Sequence, residues 1–291
     1  MTIPVWKAWL MAARPKTLPA AIVPVWAGSL LAWHLTGNFD LRLAVVTVMG
    51  AIFIQIATNF FNDVIDAEKG ADTADRIGPQ RATSSGLLSR KSVYTGAIFM
   101  LLQAVVCGFF LYQVRGWAIL VIGIPSLYLS YGYTGGPLPL AYRGLGEVFV
   151  ILFFGLVAVM GTVFIQTGVW PWQGAVLGLQ IGLLSAVLIA VNNYRDLEED
   201  RAADKRTLVV RWGRRPVKKL IFLMTIAPAF LVSVIGGFGW WLIVAMILGG
   251  VFFLLERRLL QPEGVSSKLL GLSALHLILF VIAQNVCLVL T

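Results

Sequence analysis

The chain has 291 residues, of which 58% are hydrophobic and 13% charged, and it carries a net charge of +9. A composition this apolar excludes an ordinary water-soluble domain, and two cysteines are too few for a disulfide framework. The positive charge follows the loops between apolar runs, which argues for topology and against nucleic-acid binding.

The chain opens on a short amphipathic segment, Trp6 to Lys16, bearing Lys7, Arg14 and Lys16. It does not read as a cleavable signal peptide, because a full-length apolar run follows it. Nine apolar runs then succeed one another, at about 18–36, 41–61, 92–113, 116–133, 147–166, 173–194, 219–237, 239–255 and 269–290. Each is near the ~20 residues that a helix needs to cross a bilayer. The runs are continuous rather than alternating, which excludes a membrane barrel. These features predict an all-α integral membrane protein of nine transmembrane helices, in one domain over residues 1–291. Pro19, Pro24, Pro125 and Pro228 suggest kinks within the spans. Cys107 and Cys287 both fall inside spans, and His34 and His276 read as interfacial or packing residues rather than metal ligands.

With these spans, all Lys and Arg residues except Arg42 and Arg115 lie in the amino-terminal segment and alternate loops. Basic residues are retained in the cytoplasm, so the amino terminus is expected inside and the carboxy terminus outside. Attraction to anionic lipid headgroups is a secondary consequence.

Ten of the fourteen Asp and Glu residues fall in two places. The first follows the second span: Asn59-Phe60-Phe61-Asn62-Asp63, then Asp66, Glu68, Asp72 and Asp75-Arg76. The second follows the sixth span: Asn192-Asn193-Tyr194-Arg195-Asp196, then Glu198, Glu199, Asp200, Asp204 and Lys205-Arg206. Asn62 and Asp66 match Asn192 and Asp196 at an offset of 130 residues, consistent with an internal duplication. Asn62 and Asp66 are four residues apart and share a helix face. Asn192, Asp196, Asp200 and Asp204 form a stripe if their helix continues. Crowded carboxylates repel one another and are costly to desolvate. Divalent cations carrying a polyphosphate would compensate, since magnesium takes one or two carboxylates and completes its shell with water and phosphate oxygens. Arg76, Arg81, Lys205 and Arg206 would clamp the remaining phosphate charge. Glu68, Glu198 and Glu199 read individually as solvated charges.

These residues carry a resemblance. Asn62-Asp63-x2-Asp66 after the second span, and Asp196-x3-Asp200-x3-Asp204 after the sixth, resemble the paired motifs of the UbiA superfamily of intramembrane prenyltransferases. The first motif departs at Gly70, where the superfamily has its last Asp, with Asp72 two residues on. That departure, together with Asp75-Arg76-Ile77-Gly78-Pro79, Arg14-Pro15-Lys16-Thr17 and Lys205-Arg206-Thr207-Leu208, resembles the 1,4-dihydroxy-2-naphthoate polyprenyltransferase branch. The resemblance covers nearly the whole chain and implies helices around a central cavity open to the cytoplasm, in a bacterial cytoplasmic membrane.

It also implies transfer of a polyprenyl group from polyprenyl diphosphate to 1,4-dihydroxy-2-naphthoate, with loss of diphosphate and CO2. Magnesium ions, two by the resemblance, would be held by Asn62, Asp66, Asn192, Asp196 and Asp200. Arg14, Lys16, Arg76, Arg81, Lys205 and Arg206 would bind diphosphate, with Asp63, Asp72, Asp204, Tyr131 and Tyr133 as catalytic candidates. Tyr128, Tyr131 and Tyr133 read equally as shelter for an allylic cation or as interface anchors. The prenyl tail, a membrane lipid, would enter between helices; no protein partner is indicated. A branch acting on another acceptor, such as 4-hydroxybenzoate, and a cation-coupled transporter are the alternatives.

Overall fold

The computed structural model describes residues 3–71, 80–236, 240–261, 264–265 and 268–290. Helix α1 (Val5–Ala13) ends at Arg14, whose φ of 51° is left-handed, and a tight turn over Pro15–Thr17 leads into α2 (Pro19–Thr36). The prolines and the reversal at Arg14 bend the amino-terminal segment by 47° from α2. Helix α3 (Leu41–Glu68) begins at Asp40, whose side chain accepts from the backbone N–H groups of Arg42 and Leu43, an N-cap. It stops before Gly70 at φ +71°. Helix α4 (Arg90–Arg115) is capped by Ser89, and α5 (Ala118–Gly132) contains Pro125.

A loop with one tight turn over Leu140–Arg143 precedes α6 (Gly146–Val150). A π-helical turn at Ile151–Val157 joins α6 to α7 (Ala158–Thr167), and together they make one rod. Helix α8 (Trp172–Arg195) is followed by the short α9 (Leu197–Ala202) and α10 (Leu208–Trp212). Helices α11 (Arg214–Gly236), α12 (Trp240–Leu259) and α13 (Lys268–Leu290) complete the chain. A two-residue antiparallel pair, β1 (Leu260–Gln261) with β2 (Gly264–Val265), links the last two.

By length and composition, five helices among the described residues can cross a membrane, or six if α1 and α2 count as one bent span. Ala118–Gly132 is shorter. The chain is therefore an integral membrane protein. The apolar runs look alike in sequence, but the structure sorts them. The α8 window is 72% buried, whereas those of α3 and α4 are 17% buried. Helix α4 turns Ile98, Phe99, Leu102, Val106, Phe109 and Phe110 outward, as a lipid-facing surface does.

Small residues let α8 sit at the centre. Gly174, Gly178 and Gly182 recur every four residues along it, and the rod formed by α6 and α7 lies against this stripe. A Cβ built on Gly155 would fall 2.3 Å from the Gly178 carbonyl oxygen and 2.6 Å from the Gly182 Cα. The π-helical turn brings Gly155 to this contact, where no side chain fits. Around α8, Ala27 and Leu31 of α2, Val159 and Val163 of α7, and Leu277 of α13 form the main core with Leu177, Ile181 and Leu184. Ala8 and Ala12 dock α1 against Phe60, Phe61 and Val64 of α3 and Val93 and Ala97 of α4. The consequence is that the ends of α3 and α8 which carry the acidic clusters meet.

Candidate active site

A cavity of about 380 Å³ lies between those ends. Asn62 and Asp66 reach it from α3, Asn192, Asn193, Arg195 and Asp196 from the end of α8, and Asp200 from α9. Arg14 and Lys16 line it from the amino-terminal turn, and Arg81 and Lys205 from loops. The turn is held in place by Asn59, whose Nδ2 donates to the Ala13 carbonyl at 2.8 Å and to Thr17 Oγ1 at 3.0 Å.

The two motifs are tied by one ammonium. Lys205 Nζ lies 3.4 Å from Asp66 Oδ2 and 3.6 Å from Asp200 Oδ1. Asp66 also accepts a 2.8 Å hydrogen bond from the Tyr142 hydroxyl. Asp196 receives a two-pronged contact from its neighbour, with Arg195 Nε at 2.5 Å and Nη2 at 2.8 Å. Thr134 Oγ1 donates to the Asn62 side-chain carbonyl. Lys69 Nζ donates to the Thr134 carbonyl at 2.8 Å and stands 3.9 Å from the centre of the Tyr142 ring, a cation–π contact.

The loop bearing Tyr142 is latched to the segment after the second motif. Arg206 N–H donates to the Tyr142 carbonyl at 3.2 Å. A Cβ on Gly144, where φ is +69°, would lie 3.0 Å from the Arg206 carbonyl oxygen. Burial foremost, then the Asp66 charge, pushes the Tyr142 phenol far above its ordinary value, so it serves as a proton-bearing donor. Arg81 is lowered by burial, which the charges of Asp66, Asp63 and Asp196 oppose. Lys69 is lowered, again chiefly by burial, with Asp66 opposing.

Other candidates lie elsewhere. Asp63 is wholly buried and faces away from the cavity lining. Its Oδ1 accepts from Ala82 N–H at 3.2 Å, and its Oδ2 from Thr83 N–H at 2.9 Å and Thr83 Oγ1 at 2.6 Å. It therefore anchors the loop that carries Arg81. The stripe expected from Asn192 to Asp204 ends at Asp200. The helix breaks at Asp196, where φ is −87° and ψ 16°, and Asp204 adopts a left-handed φ of 50°. The Asp204 side chain is 81% exposed and pairs in solvent with Arg206, at 2.9 Å. Tyr131 packs edge-on against Phe61, with ring centroids 5.4 Å apart, and is absent from the lining. Tyr133 does line the cavity. Asp72 and Arg76 lie outside the described residues. Tyr142, Thr134 and Lys69 belong to no motif; the signal for Tyr142 and Thr134 was a Tyr-rich, Gly/Pro-rich loop following a span, and Lys69 had none.

Among the described residues, no three His, Cys, Asp or Glu side chains converge tightly enough to hold a metal by themselves. The donor set is nevertheless that of a hard cation. The carboxylates of Asp66, Asp196, Glu199 and Asp200 and the amide oxygens of Asn62 and Asn192 line one cavity whose lining has no Cys or His. Magnesium, which keeps waters and completes its shell with phosphate oxygens, fits these residues.

Beside the polar cavity is a second chamber of about 610 Å³, lined almost wholly by apolar side chains of α2 to α5 and the α6–α7 rod. The Tyr133 ring on the polar side packs against Phe149 on the apolar side, with centroids 5.3 Å apart.

A membrane protein that pairs an acidic, oxygen-rich cavity with basic side chains and an apolar chamber belongs to the class that handles a phosphorylated lipid. The sequence model of the UbiA prenyltransferase family matches residues 21–277, and the chain belongs to that family. It is similar to the 1,4-dihydroxy-2-naphthoate octaprenyltransferases of Haemophilus influenzae, at 36% identity over 71% of this chain and 70% of that one, and of Escherichia coli K12, at 35% over 71% and 69%. Among solved structures, a UbiA homolog from Archaeoglobus fulgidus bound to GPP and Mg2+ superposes with a TM-score of 0.71. It shares 14% identity over 97% of this chain and 99% of that one.

Proposed function

We propose that the protein transfers a polyprenyl group from polyprenyl diphosphate to 1,4-dihydroxy-2-naphthoate, releasing diphosphate and CO2 and giving demethylmenaquinol. The observation that carries this reading is the meeting of two Asn-x3-Asp ends and a set of cations in one cavity, against an apolar chamber. The relatives' names supply the acceptor: several at 33–37% identity are 1,4-dihydroxy-2-naphthoate octaprenyltransferases.

Asn62, Asp66, Asn192, Asp196 and Asp200 would hold magnesium, two ions in our reading, which when bound supplies Lewis-acid neutralisation of the departing diphosphate. Arg14, Lys16, Arg81 and Lys205 bind the diphosphate oxygens and balance their charge. Arg76 and Asp72 are assigned to the same machinery by the motif alone. Tyr142 and Lys205 orient Asp66, and Arg195 orients Asp196. The prenyl chain lies in the apolar chamber, so the allylic carbon falls beside Tyr133 and Phe149. Their ring faces stabilise positive charge there without offering a nucleophile, and the packed walls keep water from the cation. The electron-rich naphthalene ring attacks the allylic carbon, and the acceptor's carboxylate leaves as CO2.

The distribution of Lys and Arg supports nine spans, with the amino terminus and the cavity on the cytoplasmic side of a bacterial inner membrane. The test is an assay of purified protein in detergent with labelled polyprenyl diphosphate and 1,4-dihydroxy-2-naphthoate. Prenylated naphthoquinol and CO2 are expected with magnesium and not with excess chelator. Product on 4-hydroxybenzoate alone would move the acceptor, and absence of diphosphate release on any acceptor would refute the reading.

A further inference from the structure

Glu147 begins the α6–α7 rod and is 2% exposed, yet the arrangement around the metal-binding and diphosphate-binding groups gives it no task. Its Oε1 accepts a 3.0 Å hydrogen bond from Asn193 Nδ2. Its Oε2 is buried with no hydrogen-bond partner among the described residues. Asn193 Nδ2 is the donor and Glu147 Oε1 the acceptor, so this contact sets the Asn193 amide. The NH2 end faces Glu147, and the Oδ1 end is left for the cavity that Asn193 lines. Among the described residues the Asn193 side chain makes no other hydrogen bond.

Tyr133 adds a third polar atom. Its hydroxyl lies over Gly146, where a Cβ would stand 2.9 Å away, and it makes no hydrogen bond among the described residues. The absence of a side chain at Gly146 is what leaves room for this hydroxyl. Buried polar atoms are normally satisfied, and Glu147 Oε2 is one that is not; beside it Asn193 and Tyr133 present an amide oxygen and a phenol to the cavity they line. The spot is also distinctive in position. The Tyr133 ring contacts Phe149, and Phe149 stacks on Phe153 at 4.7 Å; both phenylalanines line the apolar chamber. The cluster therefore stands where the polar cavity meets the chamber, on the α6 and α8 side rather than among the cations of the loops.

We infer that Asn193 and Tyr133 form a subsite for a ring hydroxyl of the aromatic acceptor, with Glu147 as the positioning residue that sets the Asn193 amide. The hydroxyl donates to Asn193 Oδ1 and accepts from Tyr133 Oη, which holds a hydroxyaromatic ring beside the allylic carbon. A metal ion would be served by the carbonyl oxygen alone; the adjacent phenol, a donor, suits a hydroxyl that both gives and takes a hydrogen bond. The inference deepens the proposed function and rests on its requirement for a hydroxyaromatic acceptor.

The test compares two probes on the purified full-length protein, 1,4-dihydroxy-2-naphthoate and 1,4-dimethoxy-2-naphthoate, which lacks the hydroxyl donors. Affinity is measured anaerobically by calorimetry without prenyl donor, and KM values for both substrates are measured separately. Wild type is expected to prefer the diol by roughly tenfold or more, because a site built to bond a hydroxyl rejects its absence. Asn193→Leu should abolish that preference and raise the acceptor KM roughly tenfold, with the polyprenyl diphosphate KM within about twofold. Glu147→Gln, which lets the amide pair flip, should reduce the preference by a smaller factor in the same KM. Equal wild-type affinity for the two probes, a preference that survives Asn193→Leu, or a diphosphate KM rising in step would each overturn the inference. If Asn193→Leu does not fold, wild type and Glu147→Gln decide it by the same readings. A wild type that prefers the diol but never prenylates it refutes the acceptor assignment and leaves the subsite. A wild type that prenylates the naphthoate yet binds both probes alike refutes the subsite alone.

Discussion

Replacing Asp63 by Asn should damage substrate binding without touching the metal. The carboxylate is buried and accepts three hydrogen bonds from Ala82 and Thr83, two of them from backbone N–H groups. Asn keeps one oxygen, which can retain the two Thr83 contacts, but it turns an NH2 toward the Ala82 N–H. A hydrogen bond to a charged group contributes about 1.5–3 kcal/mol, and a buried donor left unsatisfied costs about 1–3 kcal/mol. A local cost of about 3 kcal/mol is therefore reasonable, roughly a hundredfold in the anchoring equilibrium of the loop. That loop carries Arg81, a cation of the cavity. The expected outcome for Asp63→Asn is a KM for polyprenyl diphosphate raised about ten- to a hundredfold, with half-saturating magnesium changed less than about twofold. Initial rates at varied magnesium, with Asp66→Asn run alongside, supply the measurement. If Asp63→Asn weakens magnesium dependence as Asp66→Asn does, Asp63 contacts the ion and the anchoring argument fails. An unchanged diphosphate KM would show that the loop's anchoring is irrelevant to catalysis.

Four further outcomes are expected. Asp66→Ala and Asp196→Ala should each reduce turnover by about a thousandfold or more, in protein that still inserts and folds; near wild-type rates in either would remove the metal site. Tyr142→Phe keeps the ring beneath Lys69 but loses the 2.8 Å bond to Asp66, and kcat/KM should fall roughly tenfold. Asp204→Asn, at an exposed and solvent-paired position, should alter turnover less than about threefold; a loss matching that of Asp200→Asn would return it to the catalytic set. Gly178→Leu meets backbone, since its Cβ would already lie 3.0 Å from the Leu156 Cα. Overpacking of this kind costs about 1–3 kcal/mol or more, read as a lowered unfolding midpoint and reduced yield of folded protein.

How much of this was legible in the sequence depends on what each feature encodes. Membrane class and the convergence of Asn62, Asp66, Asn192, Asp196 and Asp200 were readable, because helical spacing and the cost of clustered charge act locally along the chain. Lys205 was readable too, as a cation beside a carboxylate motif. Asp63 was not separable from Asp66, since a motif gives the residue type but not the side of the helix that meets a loop folded back on it. The register of Asp204 failed for a related reason. The spacing of four holds on a continuous helix, and the backbone departs from one at Asp196 and reverses at Asp204. Tyr142 and Glu147 lie in a Tyr-, Gly- and Pro-rich loop visible in the sequence, but their roles were not legible, because each acquires its partner, Asp66 or Asn193, only through tertiary packing. The glycines on α8 could have marked the central helix, since a four-residue stripe of them is a packing signal. That stripe permits the close approach of α6 to α8, and the approach sets Glu147 against Asn193. The polar cluster at the chamber mouth is thus a consequence of helix packing as much as of motif chemistry.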